Sequence, residues 1–385
     1  MNFRLLLPLF MACTTGLAQS APRARALGVP FDGTPGPLDA ITDVKGVEVG
    51  DTTLIRGEGK LVVGQGPVRT GVTVIFPRGR TDADPVYAGW FSQNGNGEMT
   101  GTTWVEESGF LEGPLAITNT HSVGLVRDSI IAWSVKSGRL AQQPWSLPVV
   151  AETWDGYLND INGFHVQQAD VFSALDGAKD GPVPEGNVGG GTGMVCYGFK
   201  GGDGTASRVL SSDAGGYTVG VLVQCNCGRR PQLTIAGVPV GKLIPAAPST
   251  AMLEPELRGD VGSIIIVVAT DAPLLPTQLK RLARRATMGL ARTGSSSGNS
   301  SGDIFIAFST ANRGAGKEPG PNSVLTVSNE RISPLFQATV EATEEAIVNA
   351  MVGAETMTGV DGHTVDALPH DKLTDLMKHS PQAVK

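Results

Sequence analysis

Short apolar runs recur along the chain and predict a protein rich in buried strands. The valines between 41 and 55 alternate around a glycine, which is typical of a hairpin, and 232–244 is expected to form the second arm of another hairpin. The region 128–140 fits either a helix or a strand. The other predicted strands are Gly71–Phe76, Tyr217–Asn226, Ile264–Ala269, Ile304–Ser309 and Ser323–Ser328.

Two segments of the second half favour helices. In Thr277–Ala291, leucines and alanines recur on one face and lysine and arginines on the other, which predicts an amphipathic helix. Ser333 and Pro334 predict the start of a long helix, with the Ser333 hydroxyl as N-cap and the proline in the first turn. The segment 245–262 is rich in Pro and Ala without periodicity, and predicts an exposed linker.

The first 20 residues have the pattern of a signal peptide. Arg4 precedes an apolar stretch over 5–18, and Ala18-Gln19-Ser20 has the small-x-small form of a cleavage site. We therefore expect export across the inner membrane, with the periplasm as destination. This stretch is too short and too interrupted to span a bilayer, and no other stretch predicts a membrane span.

Composition narrows the function classes. Hydrophobic residues make up 41% of the chain and charged residues 17%, which predicts a folded protein with a large core. The formal net charge of −7 argues against a nucleic-acid partner. Loss of the signal peptide would leave three cysteines, Cys196, Cys225 and Cys227. An odd number without metal-ligand spacing predicts buried free thiols, and we expect neither a metal nor a cofactor.

One serine motif is misleading. Gly294–Gly298 matches the G-x-S-x-G pattern, with Ser296 at its centre. A nucleophile elbow needs a strand before this serine and a helix after it, whereas here a helix is predicted before it and a strand after it. An esterase that uses Ser296 is kept only as an alternative hypothesis. A non-catalytic envelope-binding protein is a second alternative.

The junction Gly262-Ser263 suggests a different chemistry. If the Ser263 hydroxyl attacked the preceding carbonyl, an N-to-O acyl shift and hydrolysis would release a chain that begins at Ser263. Glycine at 262 offers no side chain to obstruct this attack. The freed α-amine, with an ordinary pKa of about 8, could then act as general base for the serine hydroxyl. From the residues alone, an ordinary serine at the start of a strand is the favoured interpretation.

Six segments, which follow one another along the chain, favour self-cleavage at the Gly262-Ser263 junction over an ordinary serine there. They are FSQNGNGEMTG, ITNTHSVGLVRD, AETWDGYLND, GNVGGGTGM, GSIIIVVATDAPL and GNSSGDIFIAFST. Together they resemble the family of L-aminopeptidase/D-amino-acid esterases and β-aminopeptidases, over about Gly36 to Leu376. The resemblance implies an α+β fold, the four-layer αββα sandwich of N-terminal-nucleophile hydrolases. It also implies one domain cut between Gly262 and Ser263 into a large chain, 21–262, and a small chain, 263–385, in a homo-oligomer that is usually a tetramer.

The same resemblance assigns roles to residues. Ser263 corresponds to the nucleophile, and Ser301 and Asp303 to residues that contact the nucleophile and its amine. Asn226 corresponds to an oxyanion-hole residue, and Glu152 to the carboxylate that binds the free amino group of the substrate. Three further features are expected at the substrate pocket: Asn119, Trp154 at a position where some relatives have tyrosine, and the glycine-rich turn 189–193.

The sequence thus predicts a self-processing serine aminopeptidase that forms an acyl-enzyme on Ser263. Its substrates would be short peptides, amides or esters with a free N-terminus. Neither the preference among L-, D- and β-amino acids nor the size of the oligomer follows from the residues.

Overall fold

The computed structural model describes residues 22–140, 144–245, 262–316, 320 and 323–379. The predicted signal peptide and most of the predicted linker lie outside the described residues. Among the residues described, no helix combines the length and the hydropathy that crossing a membrane requires.

Two β-sheets form the centre of the fold. A four-stranded sheet has the order β1-β2-β5-β6, and a six-stranded sheet has the order β4-β3-β12-β11-β10-β9. The short strands β7 and β8 pair with each other, as do β13 and β14. In chain order the strands are β1 (Glu48–Arg56), β2 (Val68–Phe76), β3 (Val86–Ser92), β4 (Phe110–Leu111), β5 (Leu115–Asn119), β6 (Val149–Thr153), β7 (Val195–Cys196), β8 (Phe199–Lys200), β9 (Gly202–Val209), β10 (Thr218–Asn226), β11 (Ser263–Thr270), β12 (Asp303–Ser309), β13 (Met357–Thr358) and β14 (Thr364–Val365).

Helices cover the outer face of each sheet. The long helices α5 and α6 pack on the six-stranded sheet, and α2 and α3 pack on the four-stranded sheet. The two sheets face each other across a third apolar layer, so the fold is an αββα sandwich, as predicted. In chain order the helices are α1 (Thr102–Ser108), α2 (Val123–Lys136), α3 (Gln168–Gly177), α4 (Val240–Leu243), α5 (Pro276–Arg292), α6 (Ser333–Val352) and α7 (His370–Lys378).

Strand β11 shows why its sequence is apolar without interruption. Ile264, Ile266 and Val268 face the helix layer, whereas Ile265 and Val267 face the opposite sheet. Side chains alternate across a strand, so a strand between two packed layers needs apolar residues at every position. Each fully buried side chain of this kind contributes roughly 1.5–3 kcal/mol to folding. This burial holds β11, and with it Ser263, rigidly in the sheet.

Several predicted elements are confirmed. The strands expected around Gly71, Tyr217, Ile264 and Ile304 are β2, β10, β11 and β12. The amphipathic helix over Thr277–Ala291 is α5, and the ambiguous region 128–140 lies mostly within the helix α2.

Both predicted hairpins are wrong. Residues 41–43 form a 3₁₀ turn, and the single strand β1 that follows pairs with β2. The alternating valines reflect burial between the sheets rather than a turn. Residues 232–244 hold the short helix α4, and the antiparallel neighbours of β10 are β9 and β11.

Two predictions near α6 also need correction. Residues 323–328 form none of the described strands; the Val327 N–H bonds to the carbonyl of Pro273 instead. Helix α6 starts at Ser333 with proline in its first turn, as expected. However, its N-cap is Ile332, and Ser333 is already helical, so its hydroxyl makes no capping bond.

Candidate active site

Strand order brings the main candidates to one edge of the six-stranded sheet. Strand β11 begins at Ser263 and lies between β10 and β12. Antiparallel β10 ends at Asn226, which pairs with Ser263, while parallel β12 starts at Asp303, which pairs with Ile264. The end of one strand and the starts of two others therefore place Asn226, Ser263 and Asp303 side by side.

The Ser263 hydroxyl is held by a backbone group. The N–H of Gly302 donates to Ser263 Oγ at 3.0 Å, and the serine is 8% exposed. Position 302 requires glycine because a Cβ there would lie 2.7 Å from the Cα of Gly97. Sequence reasoning missed this donor, since any backbone amide has the same chemistry and only its placement gives it a role.

Ser301 and Asp303 form a polar pair beside Ser263. Ser301 Oγ can point its single hydrogen at Asp303 Oδ2, 3.0 Å away, or at the carbonyl of Gly298, 3.1 Å away. Asn94 Nδ2 donates to Ser301 Oγ at 2.9 Å, which leaves that hydrogen free for the carboxylate. Asn94 belongs to the FSQNGNGEMTG segment, to which no individual role was assigned from the sequence.

Asp303 retains an unused acceptor. Its Oδ1 is buried and has no partner at hydrogen-bond geometry among the described residues. Burial raises the pKa of this carboxyl, although nearby Ser297, Ser301 and the Ile264 N–H favour its charged form. Buried carboxylate oxygens usually accept a hydrogen bond, so Oδ1 is a position to which an ammonium group could donate.

Asn226 is fixed in one orientation. Val195 N–H donates to its Oδ1 at 2.8 Å, and its Nδ2 donates to the carbonyl of Trp154 at 3.0 Å. An amide NH₂ has two hydrogens, so one remains for an oxygen near Ser263. This arrangement is compatible with the oxyanion role predicted for Asn226.

The cysteines around Asn226 differ from the prediction of free thiols. Cys196 and Cys225 are joined by a disulfide, which links the strand β7 to the end of β10. Cys227 is free and buried, and burial raises the pKa of its thiol well above the ordinary value. The spacing along the sequence could not reveal this pairing because Cys196 approaches β10 only through the fold.

Gly262 has a conformation and a contact that suit glycine. Its φ of +154° is one that residues with side chains rarely adopt. A Cβ at this position would lie 2.6 Å from the carbonyl oxygen of Asn226 and 3.0 Å from the Cα of Cys227. The residue before Ser263 thus fits closely against the end of β10.

Glu152 is the second buried carboxylate of the site. It lies on β6 and is 4% exposed. The N–H of Glu98 donates to its Oε1 at 3.0 Å, and the Thr120 hydroxyl donates to its Oε2. Burial raises its pKa despite both donors. The loop 93–98 therefore joins the two carboxylates, since Asn94 contacts Ser301 and Glu98 contacts Glu152.

Of the residues predicted to line the pocket, Trp154 is 45% exposed. Its carbonyl orients Asn226, a contact that does not depend on its indole. The Asn119 side chain is buried and engaged with Thr70 and with the N–H of Ser122. The turn 189–193 is buried, and a Cβ at its Gly190 or Gly191 would collide with surrounding residues. Hydrogen bonds and close packing within the fold thus account for the residue types at position 119 and in the turn.

Ser296 does not lie on a nucleophile elbow. It follows α5 and precedes β12, so the elements are in the reverse of the required order. Its hydroxyl accepts a hydrogen bond from Gln232 Nε2 at 3.1 Å. The esterase hypothesis based on Ser296 is therefore not supported.

Comparisons with known proteins give the class of this fold and site. The β-aminopeptidase from Burkholderia sp. superposes with a TM-score of 0.84 at 48% identity, covering 94% of this chain and 99% of that one. The L-aminopeptidase D-Ala-esterase/amidase from Ochrobactrum anthropi gives 0.85 at 49% identity, covering 93% and 98%. The latter is described as a prototype for the serine aminopeptidases and a new variant of the N-terminal-nucleophile hydrolase fold. The chain is accordingly a serine aminopeptidase with this fold.

The family follows from sequence. The β-peptidyl aminopeptidase BapA of Sphingosinicella microcystinivorans is 55% identical over 369 residues, which cover 93% of this chain and 92% of the relative. The model of peptidase family S58 matches residues 39–365. The chain belongs to peptidase family S58.

Proposed function

We propose that this aminopeptidase cuts itself between Gly262 and Ser263 and then uses Ser263 as an N-terminal nucleophile. The observation that carries the proposal is the arrangement at the start of β11. There Ser263 Oγ accepts from Gly302 N–H, and Asp303, whose Oδ1 has no partner among the described residues, begins the neighbouring strand opposite Ile264. A free α-amine at Ser263 would be a cation able to donate to this carboxylate.

In the self-cleavage step, Ser263 Oγ attacks the carbonyl carbon of Gly262. The C–N bond breaks as the nitrogen of Ser263 gains a proton, and the resulting ester is hydrolysed by water. The products are a carboxylate at Gly262 and a free α-amine at Ser263. The conformation of Gly262 and its close approach to Asn226 support this bond as the point of cleavage.

In turnover, the α-amine of Ser263 takes the proton of its own hydroxyl as Oγ attacks the substrate carbonyl. The remaining Nδ2 hydrogen of Asn226 stabilises the oxyanion, and the leaving nitrogen receives the proton. Water then hydrolyses the acyl-enzyme. Ser301 and Asp303 orient and charge-balance the amine throughout.

Glu152 is proposed to bind the ammonium group of the substrate. Its buried carboxylate is held by the Glu98 N–H and the Thr120 hydroxyl, so it is preorganised for a cation. Blocking the substrate amine would remove this ion pair and place an uncharged group against a buried carboxylate. This accounts for action at unblocked N-termini.

We further propose that the substrates include peptides with an N-terminal β-amino acid. The support is the similarity to proteins named β-peptidyl aminopeptidase and β-aminopeptidase, at 55% and 48% identity. Neither L-residues nor D-amides and esters are excluded, since a relative of similar identity is named for them.

Hydrolysis of p-nitroanilides tests this function. The purified protein is given the p-nitroanilides of β-alanine and L-alanine and their N-acetyl derivatives, and release of p-nitroaniline is followed. We expect turnover of the free-amine compounds, fastest for β-alanine, and none of the acetylated ones. Equal turnover of the acetylated compounds would contradict the role of Glu152.

Export and assembly are proposals that rest on the N-terminal pattern and on the family resemblance. We propose a periplasmic protein that lacks residues 1–20 and forms a homo-oligomer, with four copies as the expected number. Expression with the native N-terminus should yield periplasmic protein that starts at residue 21, and sedimentation should give the number of copies.

A further inference from the structure

The Cys196–Cys225 disulfide is next to Asn226 on both of the segments that it joins. Cys225 precedes Asn226 at the end of β10, and Cys196 follows Val195 in β7. The Val195 N–H is the donor that holds Asn226 Oδ1, at 2.8 Å. The disulfide therefore links the neighbour of this donor to the neighbour of its acceptor, over a Cα–Cα distance of 5.8 Å.

The segment that carries Val195 belongs to neither central sheet. Strand β7 has two residues and pairs with β8, which is equally short. One further backbone hydrogen bond connects this segment to the end of β10, from the Tyr197 N–H to the carbonyl of Cys227 at 2.7 Å. Because a single hydrogen bond adds little net stability, the disulfide is the contact that limits how far Val195 can move from β10.

The position of Val195 determines how the Asn226 amide is oriented. Oδ1 accepts from the Val195 N–H, while Nδ2 donates to the carbonyl of Trp154 at 3.0 Å, so each end of the amide has a partner of the suitable kind. If the Val195 N–H moved away, Oδ1 would lose that donor and the amide could rotate. The second Nδ2 hydrogen would then no longer be directed at the oxyanion.

The pairing of the cysteines is protected by burial. Cys196 and Cys225 are fully buried, and the free thiol of Cys227 lies 3.9 Å from the sulfur of Cys225. A thiol attacks a disulfide only as the thiolate. Burial raises the pKa of the Cys227 thiol well above its ordinary value, so few thiolates form and exchange with the disulfide is slow.

We propose that the Cys196–Cys225 disulfide is a positioning element of the oxyanion hole, a role that rests on the proposed function of Asn226. Cys196 and Cys225 are then positioning residues that act through Val195 and Asn226. This role is additional to the stabilisation that a disulfide gives by restricting the unfolded chain. Because the oxyanion forms only in the chemical step, opening the disulfide should lower kcat and leave KM nearly unchanged.

Reduction of the processed wild type tests this role without a substitution, since self-cleavage is then already complete. A phosphine reductant is added, and thiol titration under denaturing conditions follows the rise from one thiol to three in the chain without residues 1–20. We expect kcat on β-alanine p-nitroanilide to fall about tenfold to hundredfold, with KM changed less than about twofold. Reoxidation should restore kcat. An unchanged kcat in the reduced enzyme would overturn the proposal.

A double-mutant cycle separates positioning from a general loss of stability. The pair Cys196→Ala and Cys225→Ala is introduced into the wild type and into Asn226→Ala, and kcat is referred to the amount of processed chain. If the disulfide acts through Asn226, its loss should lower kcat in the wild type and by less than about twofold in Asn226→Ala. A general structural effect would lower kcat by the same factor in both backgrounds, which would contradict the proposal.

Cys227→Ala is the matched control, because it removes a buried thiol of the same cluster and leaves the disulfide intact. It should keep the kcat of the wild type, and a loss equal to that of the cysteine pair would overturn the positioning role. Peptide mapping that finds Cys225 bonded to Cys227 would also overturn it. These results leave the proposed function standing, whereas a wild-type kcat in Asn226→Ala would overturn the oxyanion role itself and the inference with it.

Discussion

Glu152 and Asp303 are both buried carboxylates at the site, yet their surroundings differ. Both oxygens of Glu152 accept hydrogen bonds from the protein. At Asp303, Oδ2 accepts a hydrogen bond from Ser301, whereas Oδ1 has no partner at hydrogen-bond geometry in the described part of the chain. Burial raises the pKa of both carboxyls.

This difference suggests two tasks. A carboxylate with a donor on each oxygen keeps its position and charge while substrates come and go, which suits the binding of a substrate amine. A carboxylate with one oxygen that no described residue uses can accept from an ammonium group, which suits the α-amine that self-cleavage would create at Ser263. Substitutions that separate these tasks test the comparison.

The largest effect is expected from Ser263→Ala, which removes the nucleophile that both carboxylates serve. Processing should stop, and kcat/KM should fall by at least about a thousandfold, because covalent catalysis is lost. Gel analysis and p-nitroanilide turnover measure the two effects. Ser263→Cys, which retains a nucleophile, is the matched control and should still be cut. A fully processed and active alanine variant would refute the mechanism.

Asp303→Asn should have the next largest effect, about a hundredfold loss in kcat with a small change in KM. An anion beside the α-ammonium raises its pKa, so the asparagine variant should have a lower amine pKa. The amine must be unprotonated to act as base, and activity is therefore lost as the pH falls through its pKa. The acid limb of the kcat profile should shift to lower pH in the variant. An unshifted limb would show that Asp303 does not face the amine.

Glu152→Gln should act mainly on binding. A charged hydrogen bond contributes about 1.5–3 kcal/mol, which corresponds to a rise in KM of roughly tenfold to a hundredfold. The acid limb of kcat should remain where it is, in contrast to Asp303→Asn. Steady-state kinetics on β-alanine p-nitroanilide measure both quantities. A variant that loses kcat and keeps KM would place Glu152 in the chemical step instead.

The smallest effects are expected from the donors behind each carboxylate. Thr120→Val removes the hydroxyl that supports Glu152 and should raise KM about threefold. Asn94→Ala removes the amide that orients Ser301 and should lower kcat about threefold. Thr52→Val, whose hydroxyl bonds the Asp170 carbonyl, is a control for the loss of a threonine hydroxyl. A change mainly in KM for Asn94→Ala together with a change mainly in kcat for Thr120→Val would contradict the two tasks assigned to the carboxylates.

The sequence predicts the strands and the helix around this site better than the strand pairing and the contacts within it. Uninterrupted apolar runs identify β11 and β12 because both strands lie between packed layers. Periodicity identifies α5 because only one face of this helix is buried. The failed hairpins show the limit of such patterns. Valines over 41–49 alternate because they are buried between sheets, and alternation alone does not reveal which strand is the partner.

Among the site residues, the motifs select side chains whose types carry chemistry, namely Ser263, Asp303 and Glu152. They do not identify the Gly302 N–H or the Asn94 amide, which act only because distant segments meet at the sheet edge. The Cys196–Cys225 pair was missed for the same reason. Asn119, in contrast, has a suitable side chain whose hydrogen bonds are used within the fold.

The most direct test of the central claim is the intact mass of the purified protein under denaturing conditions. We predict two chains, the smaller of which begins at Ser263 and ends at Lys385, with the larger ending at Gly262. A single active chain that still contains the Gly262–Ser263 bond would contradict the account, because Ser263 would then have no free amine to serve as base.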